Sequence, residues 1–517
     1  MMMETQTCEV EVEQRMLASK VSDMQGEEEN VYTEGDEEYS AQGKSGSVET
    51  SDIQQFYHAL VEGDMDTIGL MVRSRRVDIN HIFSDSCIQS WHRGQGAIHL
   101  ITRKGKVNLI KTLVDIGASV RLRNKTGDTS LHIACKYGFH ECAEYLLRCD
   151  PELKDAQNNQ GLTPLVKAVF RFENAYRYDH AFRFNYMKTI RHLVENHVNV
   201  NLCPASGITP LHIAAGKGDA DLLRLLKSGG ANVNAICSKG FSPLLTALCR
   251  TRIHTESIKL LLDSGADVNV CTVAGRTALH LAVSKSDDIS VQHLLDAGAD
   301  PNYQDNYSKT PLWIAVHENN IQIVPMLIKF GGNVNHFTLP SRESLLSLAI
   351  QKQFEKMARL LVANGADVSA ESALSATPLH RAVEVQSVAM VKLLLLHNCY
   401  LEEESNSQRI LCPQTPLQLV LETGHLPLIQ LLMRAGCKAK EVWLQQDNLS
   451  IALTCQPAII PWILDYFYSP KSLSHIATLA CRRLLGRNIM DKVASLVSDR
   501  YIPAKAGQNI LMLDLLC

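Results

Sequence analysis

Along most of the chain, apolar residues fall in short runs of helical period, two runs to a unit, and the unit repeats. Its polar punctuation makes the pattern readable. Thr129-Ser130-Leu131-His132 recurs as Thr209-Pro210-Leu211-His212, Thr277-Ala278-Leu279-His280 and Thr377-Pro378-Leu379-His380. Looser copies begin at Gly96, Thr163, Ser242, Thr310, Ser344 and Thr415, and most successive copies lie 33 to 35 residues apart. That length suits one helix–turn–helix unit. A degenerate copy near Ile53, with Phe56 and Ala59 in the Leu and Ala positions, brings the expected count to about eleven.

Each part of the motif has a physical task. The Thr oxygen can cap the first helix, and Pro at the first helical position loses no hydrogen bond. Leu211, Ala214 and Ala215 face the next unit, where alanine lets helices approach closely. Gly138, Gly218 and Gly424 end first helices, as glycine does where the chain must turn left-handed. Second helices carry paired leucines such as Leu146-Leu147, Leu225-Leu226 and Leu360-Leu361, and stop at Gly117, Gly230, Gly265, Gly298, Gly365 and Gly436. Hairpins such as Ala266-Asp267-Val268-Asn269 lead onward.

Over residues 51–440 this pattern resembles the ankyrin family. The resemblance implies an all-α fold, an ankyrin-repeat solenoid of about eleven helix–turn–helix repeats, with a small C-terminal helical module after it. It also implies that His132, His212, His280 and His380 are structural links between repeats, and that partners bind on an extended concave face and at hairpin tips. Residues 1–50 differ: acidic runs at Glu27-Glu28-Glu29 and Asp36-Glu37-Glu38, with little apolar periodicity, predict a disordered acidic tail. Residues 441–468 read as capping helices.

Two departures break the period. Thr163 and Thr209 are 46 residues apart, and the extra segment, 170–186, is rich in rings and guanidinium groups. Tyr176, Tyr178, Phe182, Arg177 and Arg183 within it are candidate target-binding residues, being the types that dominate interface hot spots. The segment reads equally well as a lengthening of the two helices, with the rings packed on one another. The second departure is the 38-residue step from Thr377 to Thr415, where Glu402-Glu403-Glu404 predicts a solvated loop.

Past Pro470 the run Ser472 to Gly486 is amphipathic, with Leu473, Ile476, Ala477, Ala480 and Leu484 on one stripe. With Ser472-Leu473, Arg482-Arg483 and Leu485-Gly486 it resembles the first helix of a SOCS box, so residues 469–517 are expected to form a SOCS-box-like module. The resemblance implies elongin B/C as partner, with elongin C held by Leu473, Ile476, Ala477, Cys481 and Leu484. Ala477 stands where that family has Cys, and Cys481 where it has an aliphatic residue. In place of a Leu-Pro-x-Pro cullin motif the chain has Leu496-Val497-Ser498-Asp499, with Ile502-Pro503 beyond. Leu496, Val497, Ile502 and Pro503 are the cullin-facing candidates, and cullin coupling is expected to be weak. The bland alternative is that this end simply caps the solenoid.

Composition narrows the function. A net charge of −4 gives no pull toward nucleic acid, and no long uncharged apolar stretch suggests a membrane span. Fifteen cysteines without a C-x-x-C pair, and Cys135, Cys142 and Cys149 without a tight ligand knuckle, read as buried hydrophobes in a reducing compartment, cytoplasmic or nuclear, with no metal. Cys149 is expected beyond its repeat's second helix. No phosphate-cradling glycine loop, H-E-x-x-H or G-x-S-x-G occurs, so neither a catalytic role nor a cofactor is expected. The reading that joins both resemblances is a substrate-recognition adaptor of an elongin B/C–cullin–RING ubiquitin ligase, binding an unknown target protein. The alternative is an ankyrin scaffold or sequestering protein without ligase coupling.

Overall fold

The structure is a computed structural model that describes residues 48–83, 93–174, 180–250, 253–373, 376–397, 399–401 and 415–437. The chain divides into two compact units, one ending at Val273 and the other starting at Ala274. In the first, helices come in pairs: α1 (Val48–Glu62) and α2 (Met65–Arg73), α3 (Ala97–Arg103) and α4 (Val107–Asp115), α5 (Ser130–Tyr137) and α6 (His140–Cys149), α7 (Pro164–Asn174) and α8 (His180–Glu195), α9 (Pro210–Lys217) and α10 (Ala220–Ser228), α11 (Pro243–Cys249) and α12 (Thr255–Asp263). The second continues with α13 (Ala278–Ser284) and α14 (Asp288–Asp296), α15 (Pro311–His317) and α16 (Ile323–Lys329), α17 (Leu345–Gln351) and α18 (Glu355–Ala363), α19 (Pro378–Glu384) and α20 (Val388–Leu396), α21 (Pro416–Thr423) and α22 (Leu426–Ala435). A hairpin of β1 (Phe337–Thr338) and β2 (Glu343–Ser344), paired Phe337 with Ser344, departs from an otherwise all-α fold. The eleven pairs are the repeats that the periodicity predicts.

The motif explains why each pair forms. Thr209 Oγ1 accepts from His212 N, Pro210 occupies the first turn of α9, and Gly218 closes it at φ 75°. A side chain there would be strained by the left-handed backbone and would also meet the His254 ring. First helices then stack on first helices: α3 on α5, α5 on α7, α7 on α9, α9 on α11, and in the second unit α13 on α15, α15 on α17, α17 on α19 and α19 on α21. The contacts are the predicted ones. Leu131, Leu211, Ala214, Ala215, Leu146, Leu226 and Leu361 are all buried, each leucine contributing about 1.5–3 kcal/mol relative to exposure.

A second tie runs along the hairpins. Asn201 Nδ2 donates to Gly230 O at 3.0 Å, and its Oδ1 accepts from Asn232 N at 2.7 Å. Asn234, Asn302 and Asn335 repeat the arrangement onto Gly265, Gly331 and Gly365. The carbonyl of the glycine just past the cap of each of these second helices is thus satisfied by the preceding repeat's asparagine. Cys149 is the last residue of α6 and is exposed, which corrects the expectation that it lies beyond that helix; Cys135 and Cys142 are buried as expected. The pair α7–α8 is the long one, 11 and 16 residues against 8 and 9 in the α9–α10 pair that follows.

Candidate interaction surface

The motif histidines are committed to the scaffold. His132 Nδ1 accepts from Thr129 N at 3.1 Å while Nε2 donates to Leu162 O, 30 positions on, at 3.0 Å. A backbone N–H on one nitrogen and a carbonyl on the other fix the neutral, Nε2-protonated ring. His99, His212 and His280 make the same pair of bonds, to Leu122 O, Phe241 O and Lys309 O. Burial pushes His99, His132 and His280 down to about 4. These rings are therefore uncharged at neutral pH. His380 accepts from Thr377 N in the same way.

The long pair divides its rings between core and solvent. Phe172 is fully buried, and Tyr186 is buried with its hydroxyl donating to Lys136 O at 2.7 Å. Arg183 pairs with Asp219 at 2.7 Å, and its guanidinium lies over the Phe172 ring at 5.4 Å. Asp219 is itself the cap of α10, accepting from Leu222 N at 3.0 Å. Arg183 therefore ties α8 to the next repeat. Phe184 is the outward ring, 60% exposed, with Lys188 Nζ 4.6 Å above it. Tyr176, Arg177 and Tyr178 lie outside the described residues; Phe182 is placed on α8 by its backbone alone. Leu473, Ile476, Ala477, Cys481, Leu484, Leu496, Val497, Ile502 and Pro503 also lie outside the described residues, as do the Glu402–Glu404 loop and the tail before residue 48.

Beneath the long pair is a charged cluster for which sequence reasoning assigned no role. Asp128, nearly buried, binds Lys167 Nζ at 2.6 Å, Asn158 Nδ2 at 2.8 Å and Thr126 Oγ1 at 3.0 Å. Burial alone would raise its carboxyl, and the Lys167 ammonium more than offsets this, holding it below the usual range. A cavity of about 40 Å³ opens beside the pair, lined by Lys136, Lys167, Arg171, Gln160 and Phe170 among others. Burial, aided by Arg103 and opposed by Asp128, pushes Lys136 down to about 8. The available sequence signal was Val166, which stands where neighbouring repeats have histidine.

In the second unit Ile289 is exposed on α14, and further outward residues lie in the connections between helix pairs. Tyr307, Phe337 and Leu339 are exposed; Arg342 lies 4.8 Å over Phe337, and Lys309 lies 4.5 Å over Trp313 and 5.4 Å over Tyr307. Among the described residues no group of His, Cys, Asp and Glu is arranged to hold a metal, and no helix is long and apolar enough to cross a membrane.

Comparison with known proteins adds the family. The model for ankyrin repeats in three copies matches residues 58–155, 98–178, 179–272 and 253–338, together more than half of the chain. The chain belongs to the ankyrin-repeat family. It is similar to mouse protein phosphatase 1 regulatory subunit 27, 32% identical over 109 residues, or 21% of this chain and 65% of the relative. It is also similar to the mouse B-cell lymphoma 3 protein homolog, 32% identical over 161 residues, covering 30% of this chain and 33% of that one. Human BCL-6 corepressor-like protein 1 matches at 36% over 105 residues, 20% of this chain and 6% of its own length. The chain thus spans less than two thirds of each of these relatives.

Proposed function

We propose, with membership of the ankyrin-repeat family as the premise, that this chain is a non-catalytic scaffold whose repeats hold a partner protein. The observation that carries the reading is the division of labour within repeats: motif residues turn inward to bind one another, whereas Phe184, Tyr307, Phe337 and Leu339 turn outward. Large rings offered to water on a rigid frame are what an interface anchor requires. A relative named as a phosphatase regulatory subunit supports a role exerted through another chain.

A second reading is favoured by one sequence feature, the SOCS-box-like run Ser472 to Gly486. In it the chain is an adaptor: the repeats hold a target, Leu473 anchors elongin C, and a cullin and RING subunit supply the ubiquitin chemistry. The chain would act by raising the local concentration of target lysines. Purification of the full chain, a copy ending at Pro470, and Leu473→Ala separates the readings. For an adaptor, elongin C is lost from both altered proteins while partners of the repeats stay. Undiminished elongin C on Leu473→Ala ends the adaptor reading and leaves the scaffold; absence of any repeat-dependent partner ends the scaffold.

A further inference from the structure

The hairpin of β1 and β2 carries a charge that the scaffold does not use. Two residues before the first residue of its motif, a repeat turns left-handed, and glycine stands there at Gly207, Gly240 and Gly275. Ser308 takes that place in the next repeat, at φ 57°, and the β1–β2 hairpin puts Arg342 there, at φ 50°. A left-handed backbone disfavours any residue with a Cβ, and a long side chain gains nothing locally by adopting it. The guanidinium does not offset this by binding a carboxylate. Among the described residues it is engaged by one group, the Phe337 ring, 4.8 Å away. Arg342 is exposed, so its N–H donors are left to water. Glu343 follows it in sequence without neutralising it. Directly paired residues share a face, so Glu343 sides with Thr338, away from Phe337, where the Arg381 charge acts on it. Apolar surface adjoins the pair, since Phe337 and Leu339 are both exposed. His336 stacks on Phe337, and its Nε2 donates to Ser308 O at 2.7 Å. The hairpin is thereby pinned to the preceding connection, where the Tyr307 ring is exposed as well.

We propose that this hairpin receives a partner segment in which an Asp or Glu side chain stands beside an apolar residue. The carboxylate binds Arg342, and the apolar residue covers Phe337 and Leu339. The inference rests on the reading that the repeats hold a protein, and it adds the chemistry of what they hold at one place. A guanidinium lying over a ring still offers the donors along its edge, and these take a carboxylate by two parallel bonds. The ring also holds the fork in position beforehand, so less freedom is lost on contact. Apolar neighbours exclude water once the segment is seated, which makes the ion pair stronger than one on open surface. A basic segment would meet like charge here.

The test begins with a random-peptide phage library panned on the full chain. An enriched peptide, and its copy with the acid changed to the amide, are then titrated by fluorescence anisotropy against the natural protein, Arg342→Gly, Arg342→Lys and Phe337→Ser. The expected result is an Asp or Glu beside an apolar residue in the enriched sequences. The amide form should bind about tenfold more weakly to the natural chain and no more weakly to Arg342→Gly, the non-additivity expected of a direct contact. Arg342→Gly restores the residue that preceding repeats carry, so its melting temperature should hold or rise, and its loss of binding is then not a loss of fold. Should it melt lower, Arg342→Gln carries the same cycle. Arg342→Lys keeps the charge without the fork and should bind several-fold more weakly than the natural chain. Phe337→Ser should weaken both peptide forms. Enriched peptides without an acid, an amide copy that loses as much on Arg342→Gly as on the natural chain, or full binding by Phe337→Ser overturn the hairpin assignment and leave the scaffold reading standing. A peptide lost on Phe184→Ser and kept on Phe337→Ser moves the contact to α8 and overturns it too. Failure to enrich any peptide strikes the scaffold reading and the hairpin with it.

Discussion

The α9–α10 repeat and the α7–α8 repeat are neighbours on one frame, and different chemistry holds them. In α9–α10 the ties read backbone: His212 spans Thr209 N and Phe241 O, and the preceding repeat's Asn201 spans Gly230 O and Asn232 N. In α7–α8 Val166 replaces the histidine, and Thr163 Oγ1 receives only the Val166 N–H, at 3.2 Å. In place of the missing histidine tie stand two side-chain pairs, Lys167 back to Asp128 and Arg183 forward to Asp219, beside Tyr186, whose hydroxyl reads the Lys136 carbonyl. A backbone tie needs one residue at a fixed place and can recur in every repeat. A side-chain tie needs two residues chosen together, and is particular to its site.

The largest break in this comparison should come from the buried ion pair. Asp128→Ala leaves the Lys167 ammonium in a nearly closed setting, and its side chain is only 12% exposed. Loss of one partner from such a pair costs about 3–5 kcal/mol. Urea unfolding followed by far-UV dichroism reads it. The double change Asp128→Leu with Lys167→Met should recover most of the loss, because the cost lies in the stranded charge and not in the missing attraction. If the double variant is as unstable as the single one, the pair stabilises by its own bonds, and the two repeats are more alike than argued.

The next effect is read against pH and concerns the backbone-reading repeats. His132 is held near 4, well below the ordinary 6.5, chiefly by burial, with Asp128 opposing and Lys167 and Arg123 reinforcing. Between those values the unfolded chain takes up a proton that the native ring does not. Stability therefore falls as pH drops from about 6.5 to about 4, by up to about 1.4 kcal/mol per unit for each such ring. His132→Leu should flatten that slope in unfolding free energy measured at steps from pH 7 to pH 4. An unchanged slope would mean that the histidine ladder is not what acid attacks.

Smaller still is the forward tie of the long repeat. Asp219 caps α10 and receives Arg183, whose side chain is about one third exposed. Asp219→Ala should cost about 1 kcal/mol through the cap. Arg183→Ala should cost less, since the guanidinium end of the pair is partly exposed and screened by solvent. A larger loss from Arg183→Ala than from Asp219→Ala would show that its stacking on Phe172 outweighs its charge.

The same distinction explains what could be read in advance. Thr209-Pro210-Leu211-His212 and the glycines at 218 and 230 announce themselves because they recur, so helix pairs and caps were legible, and the histidine links followed from the family resemblance. Asn201, Asn234 and Asn302 recur as well, but only distances show that their amides cross to the next repeat. Asp128 and Lys167 stand 39 positions apart with nothing in either to name the other. Arg183 shows the converse. Its residue type suggested an interface, while the structure spends its charge on Asp219, 36 positions away.

The smallest expected effect on stability is also the most pointed for function. Phe172 and Phe184 are both rings of the long pair; the first is fully buried and the second 60% exposed. Phe172→Ala should lower stability by about 3–5 kcal/mol, because a buried ring leaves a cavity. Phe184→Ser removes a ring already in water, so stability should stay within about 0.5 kcal/mol. Binding should divide the other way if Phe184 anchors a partner: capture of a repeat-dependent protein falls for Phe184→Ser at temperatures where that variant is fully folded. Melting and capture measured on the two variants separate the cases. A loss of melting temperature in Phe184→Ser matching that of Phe172→Ala would place its ring in the core. Unchanged melting with unchanged capture would leave the long pair as scaffold and move the interface to Tyr307, Phe337 and Leu339. Lys188, lying over the Phe184 face, offers the finer control: Lys188→Ala keeps the ring, so capture should fall less than in Phe184→Ser, by the modest worth of an exposed cation–π contact.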